Sequence, residues 1–255
     1  MTTFARYSFG GTKDYGIVDG EFINRIKGLP YDDYEVTNET RPLSEVRLLA
    51  PIEPSKIIAI GLNYKSHLGD REPPNVPEPF LKTPSSIIGP NDSIIIPREA
   101  LEENINIQEE AELTVVIGRR CKRVKKDDAL NYVLGYTCGN DVSSRPWQRN
   151  DLQWWRAKSS DTFTAIGPVI VTGLDPFNLD IKARVNGNTA QDSNTSDLLY
   201  DLPTIIEFVT RAMTLEPGDV IMTGTPGEPV DIKAGDTVEI ELEGVGILRN
   251  PVENE

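Results

Sequence analysis

Asp201–Met213 is the clearest helix in this chain, and little else in the sequence competes with it. Ile205, Ile206, Val209, Ala212 and Met213 form an apolar stripe at helical spacing. Asp201 is placed to cap the helix, and Pro203 suits its first turn. Elsewhere the apolar residues fall in short runs bounded by Gly, Pro, Asn or Asp, which is the pattern of strands. Residues 3–8 and 15–24, Ile57–Gly61, Glu112–Ile117, Tyr136–Val142, Pro168–Thr172, Ile181–Val185, Val220–Thr223 and Thr237–Leu242 all read this way. Asn186-Gly187 marks a hairpin. The Thr237–Leu242 run alternates apolar and acidic residues, so one of its faces is solvated. Lys126–Val133 reads as a short helix. The chain is predicted to be mainly β, an α+β fold with few helices.

Two segments break this rhythm. Residues 26–50 are polar and carry Pro30 and Pro42, so no regular structure is expected there. A soft boundary near Pro51 separates a small β-rich N-terminal lobe, residues 1–50, from a larger domain, residues 51–255. From Asn63 to Pro84 the chain holds His67, Asp70, Pro73, Pro74, Pro77 and Pro79. Proline at that density suppresses helix and sheet interior, and a long loop of this kind suggests a functional lid.

Composition removes several function classes. The net charge of −14 repels phosphate backbones, so no nucleic-acid partner is expected. The basic run Arg119, Arg120, Lys122, Arg123, Lys125 and Lys126 reads as a solvated turn and helix start. No apolar run is long enough to span a membrane, and the N-terminus has no secretory h-region. With only two cysteines, Cys121 and Cys138, a reduced cytoplasmic protein is expected. Cys138 reads as a small core residue. Trp147, Trp154 and Trp155 suit core or interface packing better than a pocket wall. His67 is the only histidine, which excludes a His-rich zinc site and leaves a metal to oxygen ligands.

Glu110 and Glu112 supply such ligands. Residues two apart on a strand share a face, so both carboxylates sit side by side where an apolar strand begins. Burying two like charges costs several kcal/mol unless a cation lies between them. Glu-x-Glu alone more often means a solvated acidic edge. Asp141 ends an apolar run where a strand opens into a loop, a frequent position for site residues and also for turn aspartates.

Several short motifs then occur in one order. They are Asn63-Tyr64-x-x-His67, Glu110-Ala-Glu112-Leu, Asn140-Asp141-Val-Ser-x-Arg145-x-x-Gln148, Lys158-Ser-x-Asp161-Thr-Phe, Gly167-Pro168 and Gly224-Thr225-Pro226. Each is weak singly, but together they resemble the catalytic C-terminal domain of the fumarylacetoacetate hydrolase family, over about residues 55–252. The resemblance implies a mixed β-roll or sandwich fold and a homodimer. It also implies Mg²⁺ or Mn²⁺ held at Glu110, Glu112 and Asp141. It places Lys158 against the metal-bound substrate, Arg145 and Gln148 on the substrate, and Thr225 near its carboxylate. It makes His67 a general base on a mobile lid. Family hydrolases commonly carry Glu three residues after this histidine; here Asp70 stands there, with Glu72 just beyond. Either is a candidate to orient His67.

These roles are chemically coherent. A metal chelating a 2-oxo acid stabilises the enolate formed as the adjacent C–C bond breaks. Lys158 adds positive charge where oxyanion charge develops, and Arg145 can clamp a carboxylate or carbonyl. The expected function is metal-dependent cleavage of a C–C bond next to a 2-oxo carboxylate, as in acylpyruvate or fumarylpyruvate hydrolysis or oxaloacetate decarboxylation. Isomerisation of a 2-hydroxy-diene-dioate is the alternative, and a catalytically silent small-molecule binder is the non-enzyme alternative.

Overall fold

The computed structural model describes residues 1–255. The strands used below are β1 (Thr3–Phe9), β2 (Thr12–Asp19), β3 (Phe22–Lys27), β4 (Glu35–Pro42), β5 (Ile57–Gly61), β6 (Glu78–Lys82), β7 (Ala111–Ile117), β8 (Val133–Asp141), β9 (Thr164–Val171), β10 (Asp180–Val185), β11 (Asn188–Asn194), β12 (Val220–Met222), β13 (Thr237–Leu242) and β14 (Gly246–Asn254). The helices are α1 (Arg98–Glu102), α2 (Arg145–Asn150), α3 (Trp155–Ser159) and α4 (Leu202–Ala212).

The main sheet has twelve strands. Its principal order is β4-β3-β2-β1-β9-β8-β7-β12-β5-β6. A second, five-stranded sheet runs β11-β10-β13-β14 and closes on the short strand Ile94–Ile96. The fold is therefore mainly β with mixed sheets, as the runs of the sequence indicate. β7 is buried along its whole length because apolar layers cover both of its faces. Leu113, Val115 and Ile117 point into the core shared with Ile181, Ala183, Ile240 and Leu248 of the second sheet. Val116 points the other way, into a smaller cluster with Ile57, Ala59, Val220 and Met222.

α4 forms as expected. The Asp201 side chain accepts a hydrogen bond from the Thr204 backbone N–H at 2.9 Å, and Ile205, Ile206 and Val209 are buried. Lys126–Tyr132 is a 3-10 rather than an α-helix.

Two expectations need correction. Residues 26–50 are not irregular throughout, because β4 pairs with β3 there. β4 is the terminal strand of the sheet and largely exposed, so it lacks the apolar signal of an interior strand. The proline-rich segment likewise ends in a strand, β6, with Pro79 opposite Ile60. β6 is the other terminal strand, where a residue without an N–H is tolerated. At the N-terminal side, β1 pairs with β9, so β1–β4 extend the main sheet.

Candidate active site

Strand period places Glu112 on the face of β7 opposite Leu113, with Glu110 two residues earlier on that same side. Asp141 closes β8, the antiparallel neighbour, and its N–H donates to the Glu110 carbonyl at 3.0 Å. The three carboxylates bring one oxygen each within 4.8 Å of one another, and all three are buried. Two glycines make this crowding possible. Gly139 stands opposite Glu112, and a Cβ there would lie 2.0 Å from Thr114 Oγ1. Gly224, at φ +104°, brings its N–H to Glu112 Oε2 at 2.7 Å, and a Cβ there would meet Asn63 Cβ at 2.8 Å.

Cations surround two of the three carboxylates. Lys158, presented by α3, donates to Glu110 Oε2 and Asp141 Oδ2, each at 2.6 Å. Arg145 Nη2 donates to Glu110 Oε1. Lys82 Nζ donates to Asp141 Oδ1 and to the Phe163 carbonyl. Burial works against ionisation of Glu110, but the charges of Lys158 and Arg145 overcome it and hold the carboxyl down at about 2. Burial likewise disfavours the Lys158 ammonium, and Asp141 and Glu110 outweigh it, so its pKa is raised. Glu112 is the exception. Its carboxylate has no ion-pair partner, and burial followed by the charges of Asp141 and Glu110 pushes its pKa well above the usual carboxylate range.

That imbalance is the physical case for a cation. A buried carboxylate beside two others, with one backbone N–H for support, is costly for the folded chain. The donor set is all oxygen, which suits a hard divalent ion such as Mg²⁺ or Mn²⁺. The residues present therefore fit a metal at Glu110, Glu112 and Asp141.

A cavity of about 630 Å³ opens beside the carboxylates. His67, Arg145, Gln148, Lys158 and Thr225 all line it, so the structure brings the expected substrate-facing residues together. Arg145 also donates to Gln148 Oε1 and Gln108 Oε1, at 2.8 Å each, which fixes its planar guanidinium. His67 is half-buried in a 3-10 turn, Lys65–His67. Its Nδ1 lies 2.6 Å from the Gly227 carbonyl. A carbonyl only accepts, so Nδ1 carries the proton and Nε2 is left basic. Burial is the main reason that the His67 pKa is lowered.

The expected partnership with Asp70 is not formed. Asp70 and Glu72 are both exposed, and neither hydrogen-bonds His67. Gly69, at φ +59°, turns the chain away directly after the histidine turn, and the backbone carbonyl of Gly227 takes the orienting place. The tryptophans also divide differently from the expectation. Trp147 is buried and donates to Glu103 Oε2 at 2.9 Å, but Trp154 lines the cavity, edge-on to Phe80 at 5.1 Å. Cys138 is a core residue whose thiol burial pushes up to about 12.

Sequence reasoning missed three residues. Lys82 is fully buried against Asp141, although a lysine in a terminal strand ordinarily faces water. Gln108 supports Arg145. Gln191 donates to Thr225 Oγ1 at 2.9 Å and accepts from the Ala111 N–H at 2.8 Å, tying the Thr225 loop to the strand that carries the carboxylates. Glu109, next to the site, faces elsewhere. It accepts from the Val230 N–H at 3.2 Å, and burial pushes its carboxyl up to about 8.

Comparison with known proteins agrees with this architecture. Residues 56–253 match the fumarylacetoacetate (FAA) hydrolase C-terminal family, and residues 3–51 match the Rv2993c-like N-terminal family. The mitochondrial oxaloacetate tautomerase fahd2 of Xenopus laevis is 44% identical, over 82% of this chain and 69% of its own length. The crystal structure of 2-hydroxyhepta-2,4-diene-1,7-dioate isomerase from Mycobacterium marinum is 40% identical, with a TM-score of 0.92 over 100% of this chain and 99% of that one. Maleylpyruvate hydrolase from Sphingobium sp. SYK-6, solved with manganese(II) and pyruvate, is 30% identical, with a TM-score of 0.82 over 99% of each chain. The chain belongs to the fumarylacetoacetate hydrolase family.

Proposed function

We propose that this chain is a divalent-cation-dependent enzyme that carries out enol chemistry on a 2-oxo dicarboxylate of oxaloacetate type, moving a proton between C3 and the C2 oxygen. The observation that carries the reading is the setting of His67. Its Nδ1 is held by the Gly227 carbonyl at 2.6 Å, no carboxylate reaches it, and it shares one cavity with Lys158.

A cation held by Glu110, Glu112 and Asp141 supplies Lewis-acid polarisation of the 2-oxo carboxylate. The rest is done by side chains. His67 Nε2 takes a proton from C3, the C–H electron pair becomes the C2=C3 double bond as the C2=O π pair moves onto oxygen, and that oxygen takes the proton back from His67 Nε2–H. Ketonisation is the reverse. Lys158 places positive charge beside the oxygen on which negative charge develops. Arg145, braced by Gln108 and Gln148, offers a planar donor face to the distal carboxylate. Activating water for hydrolysis asks more of the base, and a carboxylate partner ordinarily supplies it. A proton transfer at an acidified carbon does not need that partner. Oxaloacetate tautomerase activity in a relative 44% identical supports the reading.

A second reading, cleavage of a longer acylpyruvate, is supported by the size of the cavity. About 630 Å³ is more than a four-carbon diacid fills. One assay tests the tautomerase reading against bond cleavage in the same substrate. Enol-oxaloacetate is mixed with Mg²⁺-loaded protein, and enol absorbance and pyruvate release are followed together. Loss of the enol well ahead of pyruvate is expected. Equal rates, or no acceleration of enol loss, would remove the tautomerase reading.

A further inference from the structure

We propose that Ser66 is a positioning residue for His67, acting through the backbone of Gly227. The proposal rests on the reading of His67 as the base.

Gly227 is gripped at both of its polar backbone atoms by neighbouring side chains of one turn. Its N–H donates to Ser66 Oγ at 3.0 Å, and its carbonyl accepts from His67 Nδ1 at 2.6 Å. The turn is closed on itself. The His67 N–H bonds the Tyr64 carbonyl at 3.0 Å, and the Leu68 N–H bonds Lys65 at 3.2 Å. Arg71 folds back over it, with Nε on the Leu68 carbonyl at 3.0 Å and Nη2 on the His67 carbonyl at 2.9 Å. Residues 64–71 thus form a small stapled unit whose side-chain hydrogen bonds to the opposite loop are those of Ser66 and His67 with Gly227.

The opposite loop is anchored in turn. Thr225, two residues before Gly227, is held by Gln191, which also binds the Ala111 N–H between Glu110 and Glu112. A continuous path therefore runs from the carboxylate strand through Gln191, Thr225 and Gly227 to the imidazole. Ser66 is the second grip on the last link. The Gly227 N–H and carbonyl belong to successive peptide units joined at this residue, whose φ is +57°; without Ser66, rotation about the Gly227 φ and ψ is freer, and its carbonyl no longer holds Nδ1–H in one direction. The base then loses both its fixed orientation and its fixed tautomer.

The chain has a single histidine, so one ring gives the whole signal of a histidine-specific spectrum. The test uses full-length, Mg²⁺-loaded protein labelled with ¹⁵N-histidine, in the parent, Ser66→Ala and Ser66→Thr. In the parent, the ring nitrogens should report the Nδ1–H form. Ser66→Ala should shift them toward a mixture with the Nε2–H form and lower kcat for enol loss about two- to ten-fold, the worth of one neutral hydrogen bond. KM and Mn²⁺ affinity should stay at parent values, and Ser66→Thr should restore both spectrum and kcat. An imidazole spectrum unchanged by Ser66→Ala overturns the proposal, as does a fall in kcat without a change in the ring. Full activity in His67→Ala instead overturns the assignment of the base, and the spectra still report the Ser66 contact on their own.

Discussion

Replacing Lys82 by methionine tests the electrostatics of the site without touching the cavity. The Lys82 side chain has 0% exposure, and Asp141 has 1%. Its ammonium serves Asp141 Oδ1 and the Phe163 carbonyl. Burial lowers the Lys82 pKa, and the Asp141 charge opposes that shift. Methionine fills nearly the same volume, so the change removes a charge and its donors without leaving a large void. Removing one partner of a buried ion pair costs about 3–5 kcal/mol, because the other charge stays buried. Asp141 keeps Lys158 on Oδ2 at 2.6 Å, which points to the lower end, about 3 kcal/mol. In a chain of this size that is a fall in Tm of roughly 6–12 °C. The assay is thermal unfolding in EDTA and again in saturating Mg²⁺. The deficit should shrink with Mg²⁺, because a bound cation replaces part of the charge that Asp141 lost. A Tm within about 2 °C of the parent in EDTA would refute the reasoning.

Four further outcomes are expected. EDTA should abolish activity and Mg²⁺ or Mn²⁺ should restore it, whereas Glu112→Gln should lose Mn²⁺ binding in a titration while keeping its fold. His67→Ala should cut the rate by about 10²–10⁴-fold, and Asp70→Asn should leave it within about two-fold, whereas a His67–Asp70 pair would make both changes costly. Burial first, then Arg145 and Lys158, lowers the His67 pKa against the pull of Glu110 and the Gly227 carbonyl. The neutral base then persists to lower pH, so the acid limb of kcat/KM, which reports the free enzyme, should lie below the ordinary histidine value of about 6.5. The unfolded chain takes up this proton first, so stability should fall as pH drops from that value through the folded one, and a His67→Gln variant should lack this component. Gly139→Ala should destabilise by about 1–3 kcal/mol in urea unfolding, since its Cβ would lie 2.0 Å from Thr114 Oγ1.

The sequence carries much of this fold because strands buried on both faces, such as β7, spell themselves out as unbroken apolar runs. Glu110 and Glu112 were legible for the same reason, being charges at the start of such a run. β4 and β6 were not. Both are terminal strands whose stability comes from main-chain pairing, which leaves no periodic mark in side chains. Lys82 was hidden because nothing in Phe80-Leu81-Lys82 distinguishes a lysine turned toward Asp141 from one turned toward water. The contact between His67 and Gly227 joins residues 160 apart through a backbone carbonyl, and a carbonyl has no residue type to read. The family resemblance therefore pointed to Asp70, three residues from His67, or to Glu72, where the structure uses a partner far away in the chain.

The central claim is that this site abstracts and returns a proton at C3 of a 2-oxo acid. Solvent deuterium exchange at the methyl group of pyruvate reads that step directly, without any bond between carbons breaking. The measurement is ¹H NMR of pyruvate in D₂O with Mg²⁺ and enzyme. The methyl signal should fade with the parent protein, and it should persist with His67→Ala or with EDTA. A methyl signal that persists with the parent, under conditions where the same protein consumes enol-oxaloacetate, would contradict the account.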